Sequence, residues 1–295
     1  MTRGRHAPPP HSRPRPRQRA AGRPAVIFFA LAALLAAAAP ATATPPPAPA
    51  RQSAPTPFQR EVEKQAARLA SSDAEERRDA VTRLGAMARP EASRAAAPAL
   101  GDSAALVRAT AARAVLSLPP GEAATLVMPL LRDRDEFVRR EAAFALGRAG
   151  SAVAVPALAE ALETDREGAV RGAAAVALGQ IGDPAAAPFL AGSLSRRLPP
   201  RVGGERPRRR RVEQDEFVRR AAAVSLGQLR SREAVPVLAE TLGDERAPDD
   251  VRREAARALG LIGDPSAVPA LRAALTARDP YLARIAFEAL RAIES

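Results

Sequence analysis

The sequence predicts an all-α fold, a right-handed α-solenoid of about seven helix pairs, on three observations. First, the block DEFVRREAAFALGRAG at Asp135–Gly150 recurs as Glu167–Gly182, Asp215–Arg230 and Asp249–Gly263. Self-similarity at a fixed period of ~20–50 residues marks a repeat architecture. Second, the apolar 46% of the chain is mostly Ala, with Leu and Val next; aromatics make up only 3%, and there is no Trp. Ala is the strongest helix former, whereas strands draw on Val, Ile, Thr and aromatics. Third, the blocks end in Gly182-Asp183-Pro184 and Gly263-Asp264-Pro265. There Gly closes one helix in a left-handed conformation, Asp caps the next, and Pro sits in a first turn that needs no amide donor.

The elements follow in chain order. Residues 1–43 carry seven Arg and no acid, and Met1–Arg23 is followed by the apolar run Ala25–Ala39, then Pro40 and Ala41-Thr42-Ala43. A basic stretch, a short apolar run and a small-residue exit compose a secretory signal peptide. The expectation is export, periplasmic or extracellular, with cleavage after Ala43. The alternative is an uncleaved membrane anchor over residues 25–44, which reaches the ~20 residues of a bilayer crossing only by including Pro40 and two Thr. Attachment to a membrane is expected only in that case, because a lipoprotein anchor needs a Cys and the chain has none. Residues 44–57 (TPPPAPARQSAPTP) read as a stiff, extended spacer.

Residues 58–295 read as the repeat array. Taking the Val of each Val-Arg pair as marker gives Val107, Val138, Val170, Val218 and Val251, at steps of 31, 32, 48 and 33. The step of 48 is an ordinary one plus an insertion, placed at 196–213 and read as disordered. Weaker copies extend outward at Glu76-Arg77 with Leu84-Gly85 and at Leu282 with Leu290. After each marker, apolar residues fall at +4, +7, +8 and +11, as in Ala142, Ala145, Leu146 and Ala149. That is one buried face of a helix. A second helix follows, as in Val268-Pro269-Ala270-Leu271 with Leu275. A pair this short closes its core only by stacking on its neighbours.

The run V-R-x-x-A-A-x-A-L-G-x-I-G-D-P-x-A-V-P-A-L, legible in the four central copies, resembles the HEAT-like repeat of the phycobilisome-lyase type. The resemblance covers about residues 58–295 and weakens at both ends. It implies a hydrogen-bonded ladder between neighbouring repeats, built from an Asp before the inner helix and the Arg after the Val. Asp102/Arg108, Asp133/Arg139 and Asp165/Arg171 match that spacing. At Arg219 the matching position is Glu213, at Arg252 it is Arg246, and the last copy has Ala283 in place of Arg. The resemblance also implies an alternative role, as an accessory or chaperone-like subunit of an enzyme system.

Several chemistries are excluded by composition. Without Cys there is no disulfide, thiolate metal site or Cys nucleophile. His6 and His11 are the only histidines, so the di-iron His-Glu pairs of the related deoxyhypusine hydroxylase have no counterpart in the array. No Gly-rich phosphate loop or nucleophile elbow occurs, and Glu141, Glu160 and Glu254 read as solvated helix faces. The expectation is a non-enzymatic scaffold with no cofactor, gripping a protein partner along its concave lining.

Positions +2, +6 and +10 from the marker are free of core duty and line that surface. They supply Arg140 and Arg220 at +2; Arg113, Phe144, Val176, Val224 and Arg257 at +6; and Arg148, Gln180 and Gln228 at +10. An apolar centre with an Arg-containing margin is how protein-binding surfaces are composed. The formal charge of +12 lies elsewhere: +7 in residues 1–43 and +6 in residues 196–213, leaving −1 for the rest. Within the insertion, Arg206, Arg208, Arg209, Arg210 and Arg211 form a basic cluster suited to an acidic surface or polyanion. No aromatics are interleaved for base stacking, which argues against nucleic acid.

Overall fold

A computed structural model describes residues 54–195 and 216–294; the N-terminal segment 1–43, most of the 44–57 spacer and the 196–213 insertion lie outside them. Fourteen α-helices and no strand occupy the described residues. Seven of them carry the markers: α2 (Ala74–Ala86), α4 (Ala105–Ala114), α6 (Glu136–Ala149), α8 (Gly168–Ile181), α10 (Glu216–Gln228), α12 (Asp249–Ile262) and α14 (Pro280–Glu294). The other seven precede them in turn: α1 (Pro57–Arg68), α3 (Pro90–Ala96), α5 (Pro120–Val127), α7 (Val155–Thr164), α9 (Ala187–Ser195), α11 (Val235–Gly243) and α13 (Val268–Ala274). Each marker helix packs against the next marker helix and against its own partner helix, so seven pairs stack in two layers as an α-solenoid. No described helix is long and apolar enough to cross a membrane.

The first helix begins within the expected spacer. Thr56 caps α1 by accepting from Gln59 N, the Gln59 side chain returns to Thr56 N at 2.8 Å, and Pro57 takes the first turn. This capping box makes Pro57 helical where composition alone suggested linker.

The core between the layers is built from Ala, Val and Leu. The largest fully buried side chains are all Leu, and no aromatic ring of the described residues is fully buried. Small residues suit this core because the marker helices approach closely at position +9. A Cβ built on Gly147 would stand 2.8 Å from Ala177 Cα, and one on Gly260 would stand 2.8 Å from Ala289 Cβ. Gly85 and Gly227 meet Ala114 and Ala258 in the same way. The Gly of each Ala-Leu-Gly run is therefore a packing residue, set against the +7 residue of the next helix. In α4 that position is Leu116; there the α-helix stops at Ala114 and a 3-10 turn, Val115–Ser117, carries the chain on.

Three positions later the chain leaves the helix. Gly150, Gly182 and Gly263 adopt φ of 69°, 76° and 71° at this point, the left-handed cap that glycine takes without steric cost. In two copies the same place is held by Ala88 and Arg230, at φ 50° and 49°. Asp183 and Asp264 then accept from the backbone N–H two residues on, and the proline that follows opens a short 3-10 turn rather than the helix itself.

Candidate functional site

The repeat register decides which marker-helix side chains reach the surface. With +4, +7 and +8 turned into the core, the opposite stripe of a 3.6-residue helix falls at −1, +2, +6 and +10. Arg113, Arg148, Gln180, Gln228 and Arg257 are exposed there, and Arg140 and Arg220 half-buried. The apolar residues divide. Val224 is 37% exposed, whereas Phe144 and Val176 are half-buried and pack against the core. The strip expected to face solvent is thus recessed over α6 and α8 and open on α10.

Sequence reasoning missed the row at −1, seven residues before +6 and on the same face. Leu106, Phe217 and Tyr281 are exposed there, with Phe137 half-buried. The signal was present in the repeated DEFVRR block, whose Phe recurs at 137 and 217. The Phe217 ring lies across Gly172, the position where α6 and α10 carry Arg140 and Arg220. Arg140 stacks over Phe137 at 5.2 Å, and Arg253 over Tyr281 at 5.3 Å, a favourable use of the ring quadrupole.

The arginines of this face differ in how their donors are used. Arg253 Nε donates to Asp279 at 2.7 Å and its Nη1 to Asp250 at 2.8 Å; Arg257 donates to Glu254 and Arg78 to Glu75, each at 2.5 Å. Arg113 and Arg140 approach Glu141 only to 3.9 and 3.8 Å, and Arg220 approaches Asp250 to 3.8 Å. These distances exceed hydrogen-bond length.

Beside the face runs the ladder. Arg77, Arg108 and Arg139 each donate Nε and Nη2 to one Asp carboxylate of the next repeat: Asp102, Asp133 and Asp165, at 2.7–3.1 Å. Arg108 and Arg139 also turn Nη1 back to the carbonyl oxygens of Asp102 and Asp133, and Arg171 does so to Asp165. The pairs that match in sequence six residues apart are thus joined through the backbone, while the ion pair spans 25 or 26 residues. Each carboxylate further accepts a backbone N–H two residues on. These side chains are 7–12% exposed, and bidentate geometry sets the register between repeats.

Titration follows from this geometry. The Arg77 guanidinium, with the N–H of Ala104, holds the Asp102 carboxyl below the usual range. At Asp133 burial acts most strongly and upward, but Arg108 and the Asp135 N–H outweigh it, and the net displacement is downward.

The ladder changes character after α10. Arg219 is 8% exposed, yet among the described residues its Nε finds no acceptor, and burial lowers its pKa against the opposing charge of Asp244. Asp244 stands 25 residues on, like the partners in the first two rungs, but it lies seven residues before Val251 where the other three lie five before their markers. Its ψ is 96°, against 137–149° at the closed rungs. In the next gap Arg253 takes over through Asp279, while Arg252 donates to the Leu242 carbonyl at 3.1 Å. Glu213 and the basic residues Arg206, Arg208, Arg209, Arg210 and Arg211 lie outside the described residues. Among the described residues no cluster of acids could hold a metal ion.

The E. coli protein YibA is 21% identical over 80% of this chain and 82% of its own, with a TM-score of 0.55. An engineered protein is 24% identical over 79% of this chain and 68% of its own, with a TM-score of 0.51. The complex of CpcE and CpcF of phycocyanin lyase from Nostoc sp. PCC7120 overlaps less closely, at a TM-score of 0.46, with 24% identity over 83% of this chain and 97% of its own. At these identities the likeness is one of fold. No curated protein matches in sequence. The sequence pattern of HEAT repeats matches residues 124–202 and 209–293, more than half of the chain. Stacked helix pairs, close-packed at glycine and joined by arginine rungs, place this chain in the HEAT-repeat family.

Proposed function

We propose that this protein is a non-enzymatic scaffold that holds a protein partner along the exposed face of its marker helices, outside the cytoplasm. One observation carries the docking reading. In an array whose core is Ala, Val and Leu with two Ile (Ile262 and Ile285), the aromatic rings are kept out of the fully buried interior. Five of the seven in the described residues (Phe137, Phe144, Phe217, Tyr281 and Phe287) stand on marker helices. Aromatics beside arginine are enriched in interface hot spots; Phe137 and Phe144 pack in part against the core, while Phe217, Tyr281 and Phe287 stand exposed. The basic segment, apolar run and A-x-A exit of residues 1–43 support export.

The test places a photo-crosslinking amino acid at Gln228, on the face, or at Glu240, on α11 of the other layer. Crosslinks to a single protein from Gln228 and none from Glu240 are the expected result. Val224→Asp should abolish them without lowering the melting temperature, since a partner would bury that carboxylate unpaired. Crosslinks from Glu240 alone would move the docking surface to the other layer.

A further inference from the structure

We propose that the segment docked on this face is acidic, with an apolar centre flanked by carboxylates. The inference rests on the docking reading above and adds the chemistry of the partner. Its basis is the uneven use of arginine donors. On α2 and α12 the face arginines are tied into short hydrogen bonds with neighbouring acids. On α4, α6 and α10, Arg113, Arg140 and Arg220 share two carboxylates, Glu141 and Asp250, at 3.8–3.9 Å without a hydrogen bond. Arg148, exposed at the end of α6, has no ion pair among the described residues. Four guanidinium groups thus keep their donors while only two carboxylates face them.

These donors bracket the apolar strip. Between α6 and α10 lies α8, whose one charged residue, Arg171, is buried beside the ladder. The floor is therefore uncharged at Val176 and Gly172, with Arg140 and Arg148 on one side and Arg220 on the other. Packed helices stand ~8–10 Å apart, so the bracket spans about 16–20 Å. A guanidinium fork with unspent donors takes a carboxylate in two parallel bonds, and a segment with apolar residues over the strip and acids toward both edges satisfies all of these groups. A basic segment would meet like charge on both sides.

A random peptide display library, selected against the full chain, tests this. Wild type should enrich peptides that carry Asp or Glu on both sides of an apolar core, with affinity that weakens as salt rises. Reversing Arg140, Arg148 and Arg220 to Glu should cost those peptides about tenfold or more in affinity per arginine. Circular dichroism checks that the reversed protein is folded; should it not fold, Arg148→Glu alone, at an exposed unpaired position, is the variant measured. Enriched peptides that lack acids and bind the reversed protein equally well overturn the inference and leave the docking reading standing. If no peptide enriches that Val224→Asp releases, the docking reading falls and the inference with it.

Discussion

Replacing Gly147 by Ala puts the close approach of the marker helices to a direct test. The new methyl would stand 2.8 Å from Ala177 Cα and 3.0 Å from its Cβ, against ~3.5–4.0 Å for carbon–carbon contact. Gln180 Oε1 lies nearer still but is the end of a flexible side chain and can turn aside. The shortfall to Ala177 is about 1 Å against backbone, so the α6–α8 spacing must give. Overpacking of this kind costs about 1–3 kcal/mol, and an obstructing backbone puts the cost near ~3. Ala gains back about 1 kcal/mol in helix propensity. The net is a loss of about 2 kcal/mol, or ~4–8 °C in melting temperature for an array of this size. Gly192→Ala is the matched control: it lies in α9, is exposed, and a Cβ there meets nothing within 4 Å. That variant should gain about 0.5–1 kcal/mol. Thermal melting of both, followed by far-ultraviolet circular dichroism, reads opposite signs. If Gly147→Ala melts at or above wild type, the glycines are not spacing residues.

Arg230→Gly, at φ 49° where other copies carry glycine, should raise stability by about 1 kcal/mol, measured by denaturant unfolding. Asp133→Asn leaves Arg108, 8% exposed, without its counter-ion and should cost about 3–5 kcal/mol; Asp244→Asn, at the open rung, should cost less than half of that. Because Asp102, Asp133 and Asp279 have lowered pKa values in the fold, their contribution is complete above the unfolded carboxylate pKa of ~3.9. It is lost as pH falls through the folded values, so unfolding free energy should be level above about pH 5 and decline below about pH 4. Deleting residues 198–211 should leave melting nearly unchanged, since loop closure depends only logarithmically on length, while removing salt-sensitive retention on heparin. Retention that survives the deletion would assign it to the array.

Periodicity by itself determined the helices, their pairing and the core stripe. Val138, Ala142, Ala145 and Leu146 are all buried as their spacing requires, and Ala149 at +11 is half-buried at the helix end, because a helix can sequester apolar groups only on one face. The left-handed caps were legible too, since Gly182-Asp183-Pro184 has few other uses. What one copy could not disclose is how copies meet. The Gly of Ala-Leu-Gly reads locally as a helix defect; only the Ala of the next helix, about thirty residues on, explains it. The ladder matched in sequence as pairs six residues apart, but a guanidinium reaches across the stack, so its carboxylate came from the following repeat. The same holds for the face. Register placed Phe144, Val176 and Val224 in one row, yet Phe144 and Val176 pack against the core and Val224 stands in solvent. Sequence periodicity determines direction about a helix axis, and only the tertiary structure determines what stands in that direction.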